Sequence, residues 1–109
     1  MRWGPKAVLL DDDDLILRTW AISAKGSRVS LSCFKDKESL FKALADMERR
    51  VDVFLDSKLG DGVKGEDIAK ELFDLGFRNI YLETGLPPDA FPKCHWIKGI
   101  LSKDPPWGA

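Results

Sequence analysis

The chain has 109 residues, 44% of them hydrophobic and 32% charged, with a formal net charge of −1. That suits one packed domain spanning residues 1–109, with a core from about residue 6 to 105, and gives neither the composition of a disordered or fibrous chain nor the basic excess of a nucleic-acid binder. No apolar run approaches the roughly 18 residues needed to cross a bilayer.

The first element is Ala7-Val8-Leu9-Leu10, an apolar run that stops at four acids, Asp11 to Asp14, as a buried parallel strand does where it emerges at its carboxyl end. Leu15 to Ser23 follows with Leu15, Ile16, Trp20 and Ile22, a pattern that predicts a helix ending near Gly26. Arg28 to Phe34 alternates, with Val29, Leu31 and Cys33 on one side and Ser30 and Ser32 on the other, and reads as a strand with one less buried face. Asp36 opens a second helix, carrying Leu40, Phe41, Leu44 and Met47, expected to finish close to Arg50.

Val51 to Leu55 is the next strongly apolar run, and it too ends at an aspartate, Asp56. A loop with Gly60, Asp61 and Gly62 precedes a helix from about Gly65 to Leu75, closed by Gly76. Asn79 to Leu82 is a short strand running into Glu83-Thr84-Gly85. Pro87, Pro88 and Pro92 leave room for about one turn of helix near Asp89 to Phe91. A last strand, Gly99 to Leu101, leads to Ser102-Lys103-Asp104. This alternation of strands and helices implies an α/β fold with one parallel sheet and helices on both faces.

In such a sheet the binding crevice lies beyond the carboxyl ends of the strands, so the residues that follow each strand are the candidates. They are Asp11 and Asp12 after the first strand, Asp56 after the third, Thr84 after the fourth and Lys103 after the fifth. Clustered carboxylates repel one another unless a cation sits among them, and hard oxygen ligands suit Mg²⁺. A carboxylate left unprotonated beside such a cation can attack phosphorus, with a lysine and a hydroxyl on the phosphoryl oxygens.

In these motifs the chain resembles the receiver domains of two-component response regulators. The resemblance runs from Ala7 to Pro105 through VLLDDDDLILR, VFLDSKLGDGVKG, YLETG and GILSKDPPW, in that order. It implies a flavodoxin-like, doubly wound, five-stranded parallel sheet of order 2-1-3-4-5. It also implies that Asp56 accepts a phosphoryl group from a histidine kinase or histidine phosphotransfer protein, and that Thr84 and Lys103 contact that group. Mg²⁺ would be held by the side chains of Asp12 and Asp56 and the backbone carbonyl of Lys58, with Asp11 acting through a metal-bound water.

The chain departs from the family pattern at several points. Ile100 stands where an aromatic switch residue is usual, and Asp104 separates Lys103 from Pro105. The fourth helix is shortened and the fifth is missing or truncated. These departures favour an adaptor, a phosphate sink or the terminal receiver of a hybrid kinase over a conventional DNA-binding output.

Two other functions fit parts of the sequence. Asp11 and Asp13 have the DxD spacing of aspartate-nucleophile phosphatases, with Asp11 as nucleophile, but Leu15 stands where a threonine or valine is expected, no cap domain fits the length, and Asp56 would have no role. A pseudo-receiver, an interaction module that is never phosphorylated, is favoured by the missing switch aromatic and disfavoured by the intact acidic set.

Plain roles are expected for other residues. Asp13 or Asp14 caps the first helix, and His95 is a surface or satisfied histidine. Trp20 belongs on an inner helix face, while Trp3, Trp96 and Trp107 cover the truncated side of the sheet or form a contact surface. Cys33 and Cys94 have no metal-binding spacing and read as thiols of a reducing compartment. The N-terminus Met1-Arg2-Trp3-Gly4-Pro5 lacks a signal-peptide core, and a cytoplasmic location is expected.

Overall fold

The computed structural model describes residues 3–91 and 93–107; Met1, Arg2 and Pro92, used in the sequence reading, lie outside the described residues. Its five strands are β1 (Lys6–Leu10), β2 (Ser30–Phe34), β3 (Asp52–Asp56), β4 (Ile80–Glu83) and β5 (Gly99–Leu101). All pair in parallel, in the order β2-β1-β3-β4-β5. Three helices connect them, α1 (Asp14–Gly26), α2 (Lys37–Leu44) and α3 (Gly65–Asp74). This is the doubly wound, flavodoxin-like sheet that the motif order implied.

The apolar runs are continuous because both sheet faces are covered. Val8, Leu10, Val53, Leu55, Ile80 and Leu82 pack with Leu40 and Leu44 of α2 and Ile68, Ala69 and Leu72 of α3. Ala7, Leu9, Phe54 and Tyr81 pack on the opposite side with Trp20 of α1. Burying these side chains completely is worth about 1.5–3 kcal/mol for each large one.

Helix boundaries follow local bonds. Asp13 caps α1 by accepting from the backbone N–H of Leu15 (2.9 Å), and Asp36 caps α2 by accepting from that of Ser39 (2.8 Å). α2 stops at Leu44 rather than near Arg50. The chain continues there in turns, with the N–H of Asp46 bonded to the Ala43 carbonyl and that of Met47 to the Leu44 carbonyl; Arg49 then reaches the end of α3, donating to the carbonyl of Leu75 (2.9 Å) and lying 4.6 Å over the Phe77 ring. On α1, Trp20 and Ala24 take the buried stripe, which leaves Leu15 and Ile22, seven residues apart, 66% and 68% exposed.

Between β4 and β5 the described residues hold one helical turn, Pro88–Ala90, in place of a fourth helix. Phe91, Trp96 and Ile97 pack onto the α2/α3 side of the core. No helix follows β5 among the described residues, and Trp3 and Trp107 cover the α1 side instead. Trp3 lies 4.9 Å from the Tyr81 ring, and Trp107 lies 5.5 Å from Trp20 and 5.8 Å from Phe54. The three tryptophans outside the helices therefore do the covering that helices would otherwise do. His95 is a packing residue, edge-on to Phe73 (5.3 Å) and Trp96 (5.0 Å). No described helix is long and apolar enough to cross a membrane.

Gly65, the first residue of α3, presses against the end of β3. Its N–H donates to the Ser57 carbonyl (3.1 Å), and a Cβ added there would run into the backbone carbonyl of Asp56. Because the obstacle is backbone, Gly65→Ala should cost about 1–3 kcal/mol through overpacking. Thermal or urea unfolding of the variant beside wild type measures this; unchanged stability would mean that α3 can slide away from β3.

Candidate functional site

Strand register builds the site. Asp56 pairs with Glu83 across β3 and β4, Leu10 with Leu55 across β1 and β3, and Glu83 with Leu101 across β4 and β5. Side chains two apart on a strand share a face, so Asp11, Asp56 and Glu83 continue the columns of Leu9, Phe54 and Tyr81. All three acids are buried at the carboxyl edge on the α1 side. Among the described residues they form a group offering one oxygen each, all within 4.8 Å of one another.

Lys103 reaches this row from beyond β5. Its Nζ lies 2.9 Å from Asp11 Oδ2, 2.9 Å from Asp56 Oδ1 and 3.1 Å from Glu83 Oε2. The backbone is held as well, because Trp20 Nε1 donates to the Lys103 carbonyl (2.8 Å). Lys98, the other lysine near β5, bonds Asn79 Oδ1 (3.0 Å) instead. Thr84 is buried one residue past Glu83. Its Oγ1 accepts from Ser57 Oγ (2.9 Å) and from the backbone N–H of Leu86 (3.1 Å).

The structure thus brings together Asp11, Asp56 and Lys103, with Thr84 bonded to Ser57, the residue after Asp56. Asp12 is exposed at the rim, with its Oδ2 near Gly60, where an added Cβ would stand 3.7 Å away. Lys58 is exposed and donates its backbone N–H to Asp56 Oδ1 (3.2 Å). Asp13 caps α1, and Asp14 pairs with Lys35 (2.8 Å). Glu83 and Ser57 are the two members that the sequence reading did not single out. The signal for Glu83 was present: three apolar runs, VLL, VFL and IYL, each end in an acid.

Burial and the one ammonium set the charge states. Burial pushes Glu83 up, its hydrogen bond and charge contact with Asp11 push it further, and Lys103 only partly offsets them, which leaves its pKa at about 10. Burial also raises Asp11, but hydrogen bonds from Glu83, the Asp13 N–H and Lys103 outweigh it and hold that carboxyl below its ordinary value. Burial raises Asp56 despite Lys103 and the Lys58 N–H, and the Asp11 charge adds to the rise. Burial works against the Lys103 charge, yet its bonds to Asp56 and Asp11 and the charge of Glu83 raise its pKa above the usual lysine value. At neutral pH Glu83 therefore carries its proton, and Lys103 is the cation between two carboxylates.

An acid whose pKa is higher folded than unfolded contributes stability that is complete below its unfolded value and is lost as pH rises toward the folded one. For Glu83 that window runs from its ordinary 4.5 to about 10. The melting temperature of the metal-free chain should fall as pH rises from 5 to 9, and Glu83→Gln should flatten the slope. Equal slopes in both proteins would show that Glu83 ionises normally.

No family model and no curated protein matches the sequence. Among solved structures, the chain is similar to the BeF3-activated DrrB receiver domain, with a TM-score of 0.71 and 20% sequence identity. The match covers 94% of this chain and 86% of that one. The fold of this chain, a five-stranded parallel sheet of order β2-β1-β3-β4-β5, is that of a response-regulator receiver domain.

Proposed function

We propose that the chain is a phosphorelay receiver that accepts a phosphoryl group from a histidine kinase or histidine phosphotransfer protein onto Asp56. The observation that carries this reading is the placing of a buried aspartate, a second aspartate and a lysine within 2.9 Å contacts at the carboxyl edge of a receiver fold, with a threonine hydroxyl alongside.

In the transfer, an Asp56 carboxylate oxygen attacks phosphorus, an acyl phosphate bond forms, and the bond from phosphorus to the donor imidazole nitrogen breaks, the imidazole leaving with that electron pair. Oδ1 is occupied by Lys103 and the Lys58 N–H, so Oδ2 is the nucleophile. Thr84 Oγ1 already accepts two hydrogen bonds, which leaves its own proton to donate to a phosphoryl oxygen. Lys103 supplies a charge-assisted bond to another.

The donor set is all hard oxygen, which fits Mg²⁺. Asp11, Asp12 and Asp56, with the Lys58 carbonyl, would hold the ion, and Glu83 offers a further buried oxygen. When bound, Mg²⁺ neutralises phosphoryl charge.

Exposed Leu15 and Ile22 on α1, the helix that leaves directly from the acidic loop, offer a partner an apolar contact. The short β4–β5 connection supports an adaptor, a phosphate sink or the terminal receiver of a hybrid kinase, acting in the cytoplasm. The DxD phosphatase reading is disfavoured because Asp13, its second acid, is spent on capping α1. The pseudo-receiver reading draws on one observation, that the Lys103 ammonium pairs with all three buried acids.

Radiolabelled acetyl phosphate with Mg²⁺ should label wild type, label Asp11→Asn in part and leave Asp56→Asn unlabelled. In the same assay Lys58→Ala should change the lifetime of the label, since a long cationic side chain two residues past the acceptor can reach the phosphoryl group and alter water's access to it. Label that follows Asp11 would point to the phosphatase, and no label at all to the pseudo-receiver.

A further inference from the structure

Beyond offering one oxygen to an ion, Glu83 has no part in the transfer as described, yet it is a fully buried acid in direct contact with Lys103. Burying an acid is costly, and an apolar residue of similar size would pack the end of β4 at less expense. Its position is fixed by register, one strand over from Asp56.

An ammonium group has three N–H donors. Lys103 Nζ donates to Asp11 Oδ2 (2.9 Å) and to Glu83 Oε1 (3.3 Å) and pairs with Asp56 Oδ1 (2.9 Å), so three acids stand around three donors. Lysine otherwise carries its charge at the end of a flexible four-carbon stem. Here the root is held by Trp20 through the Lys103 carbonyl, and the head is held on three sides.

We propose that Glu83 is a positioning residue for Lys103: together with Asp11 it occupies two ammonium N–H groups, so that the third is aimed at Asp56 and at whatever Asp56 carries. When a phosphoryl group arrives, only that third N–H changes partner, from Asp56 Oδ1 to a phosphoryl oxygen. Asp11 and Glu83 keep the other two. The kinetic consequence rests on the reading of Asp56 as phosphoryl acceptor; the holding of Lys103 does not.

Two measurements separate these. The first is the ¹H–¹⁵N ammonium signal of Lys103 at neutral pH and low temperature, which is seen only when the group is held away from rapid exchange with water. Wild type and Glu83→Gln, whose amide keeps an acceptor, should show it. Glu83→Met, of similar length with no such acceptor, should lose it, and Glu83→Leu gives the same arm if the methionine variant does not fold. A signal that persists in both apolar variants overturns the proposal.

The second is the rate of labelling by acetyl phosphate. Glu83→Met should lower it about tenfold, Glu83→Gln by about twofold or less, and Glu83→Met should add nothing in a Lys103→Met background. A loss of equal size in that background would mean that Glu83 acts by some route other than Lys103, and overturns the proposal. If wild type takes no label while the ammonium signals behave as expected, it is the acceptor reading that fails, and the positioning role of Glu83 stands.

Discussion

Three acids buried side by side at one sheet edge can coexist only if a positive charge stands among them or protons neutralise them, and this chain does both. Lys103 lies within 3.1 Å of all three, and Glu83 keeps its proton. The rest of the site follows from that arrangement. Asp11 stays ionised because Glu83 and Lys103 both bond to it. Asp56 has one oxygen engaged and the other open. Because the structure places a titratable cluster where a cation is compensated at short range, charge entering the site has to be matched there rather than by solvent.

The strands that carry the acids are the best-packed part of the molecule. β1, β3 and β4 are buried on both faces; register sets Asp56 opposite Glu83, and Asp11, one residue past β1, is held by its N–H bond to the Phe34 carbonyl (3.1 Å). The departures from an ordinary five-helix layout lie elsewhere, between β4 and β5 and after β5. There Phe91, Trp96 and Ile97 on one face and Trp3 and Trp107 on the other close the core with side chains in place of helices. Lys103 is tied to α1 through the indole N–H of Trp20, so the packed face and the charged edge are joined at that hydrogen bond.

Much of this was legible in the sequence. The apolar runs ending in acid located β1 and β3, and the order of motifs gave the sheet topology. The acids Asp11 and Asp56, with Thr84 and Lys103, were read from their places after strands. Other features depend on tertiary contacts that a single sequence does not display. Past Leu44 the chain turns and Arg49 bonds to the end of α3, and Leu15 and Ile22 face solvent because Trp20 takes the inner stripe. Glu83 follows an apolar run just as Asp11 and Asp56 do, but the receiver motif directs the choice after the fourth strand to the hydroxyl one residue later, Thr84. That Glu83 stands opposite Asp56 is set by strand pairing, which a single sequence does not display.

The central claim is that this edge is built to receive a phosphoryl group at Asp56. The ¹H–¹⁵N spectrum of the chain with Mg²⁺ and beryllofluoride, a stable mimic of an aspartyl phosphate, tests it most directly. The expected result is a saturable, Mg²⁺-dependent set of shifts centred on the amides of Asp11, Asp56, Ser57, Thr84 and Lys103, and absent in Asp56→Asn. Shifts that survive in Asp56→Asn, or a spectrum that beryllofluoride and Mg²⁺ leave unchanged, would contradict it.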